Sequence, residues 1–188
     1  MPAYYTYLIC SLPMLHFGRK PPFSFGEFLR LCQGLIPAQH LEILKNASLS
    51  GDYAYRGSAT LEKWQEFDTK LRNELVKIRA SRKKLDPQQY LRRMKDGYVE
   101  PDIAHLAMSA HKNPSLLEAE KTLDLERWRR LEALAEGHYF DLDFLIVYAH
   151  KLLLLERWER INQADKPRLV EEALKKDKHV FKENRQDH

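Results

Sequence analysis

Glycine and cysteine are scarce in this chain, with 7 glycines and 2 cysteines among 188 residues. So few glycines leave little material for phosphate-cradling loops, and no Walker, dinucleotide or GxSxG signature occurs. Neither HExxH nor CxxC is present, and the histidines do not cluster: His105 and His111 are spaced so that they fall on different sides of a helix. These absences weigh against a standard hydrolase, nucleotide enzyme or zinc enzyme. Two cysteines, Cys10 and Cys32, make no disulfide framework and suit a reducing cytosol. Strong charge of one sign is also missing, since the net charge is only +4. Nucleic-acid binders concentrate far more positive charge on one face. No apolar run reaches the roughly 20 residues that cross a bilayer. The opening MPAYYTYLICSLPML lacks a basic start and is interrupted by Pro13, so it does not read as a signal peptide. The expected location is the cytoplasm, with peripheral attachment to the inner membrane through a complex as the variant of that reading.

What the chain does have is helical pattern. The most apolar stretch is FDLDFLIVYAHKLLLLERWERI at 140–161. From Leu142 to Leu155 apolar side chains point in nearly every direction around a helical wheel, which predicts a helix buried by its own protein. The remaining helices are expected to lie against it. Before it, Ser115 and Glu118 have capping-box spacing and open a helix with Leu116, Ala119, Leu123, Leu131 and Leu134 facing in. Gly137 is placed to end that helix in the left-handed conformation. The short connection predicts a helical hairpin of 115–136 and 141–162.

Upstream, Ser24 and Glu27 repeat the capping-box spacing and start a helix with Phe25, Phe28, Leu29 and Cys32 on one side. Pro37 opens the next, with Leu41 and Leu44 inward. Leu61, Trp64, Phe67, Leu71, Leu75 and Ile78 recur at three and four, which predicts one long helix from Thr60 to about Lys84 with a charged outer face. Asp86-Pro87 caps a short helix to about Met94, and Pro101 starts another that Asn113-Pro114 stops. Residues 3–12 fit either a strand or a short buried helix. The fold class is therefore all-α, an irregular bundle of about seven helices. It forms a single domain over 1–165, followed at 166–188 by a weak charged helix and a frayed tail.

Several groups carry chemistry in principle. Asp141 and Asp143 form a carboxylate pair at the head of the apolar helix; capping and the helix dipole account for them better than metal binding, since a hard cation wants several oxygens. Asp143, His150 and Lys151 can share one side of that helix, an arrangement open to acid–base or Schiff-base work, whereas a helix-edge lysine more commonly reaches for water or a carboxylate. The favoured reading is no enzyme, no cofactor and no metal. The three tryptophans share a context, LEKW at 61–64, LERW at 125–128 and LERW at 155–158. Leu and Trp three apart lie on one face and read as core, with the charges between them pointing away. The basic stretches 77–84 and 127–130 offer a grip on nucleic acid, or a solvated face, or a surface for an acidic protein.

YYTYLICSLPML near the start, KPPFSFGEFL after it, LRNELVKIRASR at 71–82 and GHYFDLDFLIVYAHKLLLLERW at 137–158 resemble an uncharacterised bacterial family. It is a domain of unknown function whose members tend to be encoded among genes for V-type ATPases. The chain also has a distant likeness to the C (or d) subunit of V/A-type rotary ATPases, an all-helical, non-catalytic socket between rotor ring and central stalk. The order Tyr148, Lys151, Glu156, Arg157 is similar to that subunit's terminal helix, with different spacing, and the chain is about half the expected length. The resemblance implies a non-catalytic accessory or C-like subunit, or an assembly factor, of a V-type ATPase. It would contact stalk or rotor-ring subunits through Arg79, Arg127, Arg157 and Trp158. The alternative is a helical nucleic-acid-binding protein using 77–84 and 127–130.

Overall fold

A computed structural model of the chain describes residues 5–49, 58–94 and 97–163. Among these residues there are seven α-helices and no strand. They are α1 (Thr6–Ser11), α2 (Phe25–Cys32), α3 (Ala38–Lys45), α4 (Ala59–Lys83), α5 (Pro101–Lys112), α6 (Leu116–Ala135) and α7 (Leu142–Gln163). The expected charged helix and tail at 166–188 lie outside the described residues. No helix among the described residues is long and apolar enough to cross a membrane.

The helix ends follow local chemistry. Ser24 and Glu27 form the reciprocal capping box, with Glu27 N–H donating to Ser24 Oγ at 3.1 Å and Ser24 N–H to Glu27 Oε2 at 2.8 Å. These bonds, Ser24's backbone N–H first, hold the Glu27 carboxyl below its ordinary pKa. At Ser115 only half of the box forms: Glu118 N–H reaches Ser115 Oγ, while Ser115 N–H goes to Asn113. Gly137 takes φ +83°, a conformation that lets the chain turn between α6 and α7 without a Cβ clash. Lys84 adopts the same left-handed region (φ 56°) to end α4, which no glycine or asparagine announced. Of the stretch 3–12, for which strand or helix were both open, the described residues Thr6–Ser11 are helical, as α1.

One helix is shorter than its pattern. Only Pro87–Tyr90 winds up, as a single 3-10 turn, and 91–94 are not helical. The cause is Asn73 on α4. Its side-chain amide accepts from Arg92 N–H and donates to Arg92 C=O, both at 2.9 Å. Those are the two backbone groups a helix would need from Arg92, so the amide holds the residue extended.

The core is organised around α7. Leu145, Ile146, Val147, Tyr148, Ala149, His150, Leu152, Leu154, Leu155 and Trp158 are all buried, so burial goes right round the helix. α2 supplies Phe28, whose ring lies 5.3 Å from that of Tyr148. α4 supplies Trp64, 5.4 Å from the His150 ring. α6 supplies Trp128, with Lys151 Nζ 4.6 Å above it. The segment before α2 is held by Tyr148, whose hydroxyl donates to Pro13 C=O at 2.9 Å. Glu156 accepts the first amide of α2, from Phe25 at 2.7 Å.

Two expectations about facing are corrected. Leu116 is 76 % exposed although its spacing places it on the core stripe. It stands at the first residue of α6, before the helix has met a neighbour. The polar side of α4 is not all outward: Lys70 and Asn73 are buried there, because α4 is covered by α5, α6 and α7 rather than on one side only, and Asp68 is buried within the apolar stripe itself. Lys70 keeps its charge there through Glu66 at 2.9 Å and Glu100 at 3.2 Å. Burial works against that charge, and the two carboxylates outweigh it and raise the ammonium pKa.

Leu152→Ala is expected to lower stability by about 2–5 kcal/mol in urea unfolding, since a fully buried leucine is lost. Leu116→Ala should change it by no more than about 0.5 kcal/mol. Equal effects at the two positions would contradict the central role of α7.

Candidate functional site

The residues that the sequence suggested for catalysis are not gathered into one centre. Asp143 sits at the head of α7 and accepts from Ser58 Oγ at 2.7 Å, which joins the starts of α4 and α7. Lys151 extends to Glu132 at 3.2 Å. His150 is sealed, with Nδ1 donating to Ile146 C=O at 2.8 Å. Burial pushes its pKa down to about 4, against smaller opposing effects of that backbone bond and of Asp68. The other ring nitrogen, Nε2, has no hydrogen-bond partner among the described residues, and neither does Trp64 Nε1. Nδ1–H leaves Nε2 as an acceptor, so the two orphan atoms are a complementary acceptor and donor on neighbouring rings. Cys32 is likewise a core residue, its thiol raised to about 12 by burial.

At the turn before α7 the structure adds His138 to the aspartate pair. Its Nδ1 lies 2.7 Å from Asp141 and 3.8 Å from Asp143. His138 precedes the helix and comes back to the pair only through the turn. These groups have structural roles already: Asp141 caps Phe144 N–H at 3.0 Å and Asp143 holds Ser58.

Three of the four expected contact residues, Arg127, Arg157 and Trp158, come together around one buried carboxylate. Asp124 of α6 is wholly buried. Its Oδ1 accepts from Arg127 Nη1 at 2.8 Å. Its Oδ2 accepts from Arg157 Nη1 at 2.7 Å and from Trp158 Nε1 at 3.0 Å. The network continues in both directions. Arg127 Nε donates to Asp68 of α4 at 3.0 Å, and Asp68 also holds Arg72 at 2.5 Å. Arg72 Nη2 donates to Leu49 C=O. On the other side Arg157 Nη2 donates to Glu120 at 2.7 Å. Burial opposes the charge on Arg127, and the fields of Asp68 and Asp124 more than restore it, raising its pKa.

This placement corrects the reading of the LERW repeats. The charges between Leu and Trp do not all point away: Arg127 is 7 % exposed. Trp128 and Trp158 are buried, in keeping with core packing. Of the four expected contacts, Arg127 and Trp158 face inward, Arg157 is half-buried, and Arg79 is exposed. The basic stretch 127–130 is also divided. Arg127 turns in, Arg129 pairs with Glu126 at 3.2 Å, and Arg130 lies 5.6 Å above the Phe67 ring.

The outer side of the network is a cleft of about 430 Å³ between α4, α6 and α7. Arg72, Arg79, Arg92, Arg127 and Arg157 line it, against the carboxylates Glu120 and Asp124. Leu75, Leu123 and Leu154 form its apolar part, and Tyr90 stands at its edge. A larger groove of about 680 Å³ lies between α4, α5 and α6, where cations and carboxylates alternate and Lys70 is tied to both sides. The arginine cleft is the more one-sided of the two.

Two measurements check this geometry. Asp124→Asn is expected to cost about 3 kcal/mol or more in urea unfolding, since it leaves Arg127 buried with half its compensation; a loss below about 0.5 kcal/mol would contradict the network. For His150, the unfolded ring takes up a proton near the ordinary pKa of 6.5 and the folded ring only near 4, so stability falls as pH drops through that window. The fall amounts to roughly 3 kcal/mol. In His150→Leu this part of the acid slope should vanish, and an unchanged slope would show that the ring is not sealed.

Residues 103–178 match the model of a family described as "Protein of unknown function (DUF2764)". The match takes in α6 and α7, with Asp124, Arg127, Arg157 and Trp158, whereas Asp68, Arg72 and Arg79 on α4 lie before it. No curated protein matches the chain, and no solved structure does. What the matched part of the chain carries is thus similar to an uncharacterised domain.

Proposed function

We propose that the protein is a non-catalytic interaction protein, an accessory or C-like subunit, or an assembly factor, of a V-type ATPase. The observation that supports an interaction role is the aromatic surface at one end of the molecule. Tyr5 N–H donates to Phe140 C=O at 2.5 Å, which sets α1 beside the α6–α7 turn. At that end Tyr7 is 82 % exposed and Tyr139 68 %. Exposed tyrosines of this kind are enriched where proteins meet proteins. The ionisable groups of the interior, by contrast, are tied to one another or sealed. The V-type ATPase as partner rests on the resemblance of the sequence alone. Arg79 and Arg157 are the charged contacts that this reading retains, while Arg127 and Trp158 act from inside by fixing Asp124.

The alternative, nucleic-acid binding, has its support in 77–84, where Arg79, Arg82, Lys83 and Lys84 are exposed at the end of α4. A gel shift at low salt separates the two readings, since binding through phosphates weakens steeply as salt rises.

The direct test is recovery of partners on the tagged protein from its own cells. V-type ATPase subunits are expected, with recovery reduced about fivefold or more in Tyr7→Ser/Tyr139→Ser, as for loss of an interface anchor. Recovery without any ATPase subunit would overturn the assignment.

A further inference from the structure

We infer that the arginine-lined cleft between α4, α6 and α7 is a binding site for a phosphorylated small molecule. The phosphoryl oxygens would meet the guanidiniums of the wall, and the rest of the ligand would lie on the leucines. This inference stands apart from the ATPase reading and is tested on the purified chain alone.

The size is right for such a ligand: about 430 Å³ lies within the range of small-molecule sites. Charge is right too: five arginines line the cleft with Glu120 and Asp124, and even with Asp68 behind Arg72 and Arg127 the cations outnumber the carboxylates. More telling is how the arginines are held. Arg127 uses Nε and Nη1 for Asp68 and Asp124. Arg72 uses Nε and Nη2 for Asp68 and Leu49. Arg157 uses both Nη atoms for Asp124 and Glu120. Each guanidinium is therefore fixed in place by part of its fork. The remaining nitrogens, Arg127 Nη2, Arg72 Nη1 and Arg157 Nε, are not among the buried orphan atoms of the described residues. Arg79, exposed at the mouth, makes no hydrogen bond or ion pair among the described residues.

Donors fixed before the ligand arrives lose little entropy on binding it. Planar forks at several angles match the several oxygens of a phosphoryl group. Arg127 is only 7 % exposed, so a small anion reaches it where the backbone of a nucleic acid or a folded partner would stop at the mouth. The apolar side formed by Leu75, Leu123 and Leu154, with the Tyr90 ring at the edge, suits a ligand with a body rather than bare phosphate.

The experiment is isothermal titration of the full chain with inorganic phosphate, pyrophosphate and AMP at fixed ionic strength. It is repeated with Arg79→Ala, and with Arg82→Ala as an exposed cation outside the cleft. A Glu-rich peptide is the fourth titrant. Saturable one-to-one binding of pyrophosphate or AMP is expected, tighter than that of inorganic phosphate. Affinity should fall about tenfold in Arg79→Ala, as for a charge-assisted bond lost, and stay within about twofold in Arg82→Ala. No saturable heat with any of the three phosphates overturns the inference. So does equal weakening by both substitutions, which would mark diffuse surface charge. Binding of the Glu-rich peptide that the phosphates fail to displace would assign the cleft to an acidic protein segment instead.

Discussion

The structure depends on carboxylates that have been taken out of water together with the arginines that neutralise them. Asp68 and Asp124 are each almost completely buried, on different helices, and Arg127 lies between them with a nitrogen on each. Removing water from two carboxylates and a guanidinium costs several kcal/mol per ion, and only close, well-directed bonds offset it. That requirement fixes geometry. α4 and α6 can meet only where Asp68 reaches Arg127, and α7 only where Arg157 and Trp158 reach Asp124. Apolar packing around α7 drives the helices together, and the ion chain selects one arrangement among those that packing would accept.

The same chain explains why the charged side of the molecule has a shape. Arginines free on a surface would sweep through many conformations. Here three of them are held by part of each fork, so the cleft outside the network presents donors in set positions. An arrangement needed for stability thereby makes a surface able to recognise something. The contrast with His150 is instructive. That ring is also polar and buried, but it bonds to a backbone carbonyl and feels Asp68 only weakly, so burial prevails and favours the neutral form. Burial with a partner preserves charge, and burial without one suppresses it.

Much of the fold was legible in the sequence because it rests on local rules. The three-and-four spacing of Leu61, Trp64, Phe67 and Leu71 places α4, and all four are buried. Ser24 with Glu27, and Gly137 with its positive φ, mark ends as their chemistry requires. What was not legible depends on residues distant in the chain. Nothing near Arg92 says that Asn73 will hold its backbone extended. Nothing in LERW says that Arg127 turns toward Asp68, which is 59 residues away. Asp68 itself falls within the apolar stripe of α4, four residues after Trp64 and three before Leu71, yet nothing local names the arginine it meets. A sign existed: Asp124 and Arg127 are three apart, and so on one face of α6. Charged pairs at that spacing usually lie on the surface, so the spacing alone does not reveal burial. The sequence offers Arg79, Arg127 and Arg157 as contacts for a partner. They do line one cleft, and Arg127 does so from inside the network.

The central claim is that Asp68, Arg127 and Asp124 act as one unit across α4 and α6. A double-mutant cycle with Asp68→Asn and Asp124→Asn, read by urea unfolding, addresses it most directly. Neither aspartate bonds to the other, and the group both bond to is the Arg127 guanidinium. The account predicts that the two losses fail to add by about 1 kcal/mol or more. Losses that sum to within about 0.3 kcal/mol would mean two independent surface-like pairs, and would contradict the account.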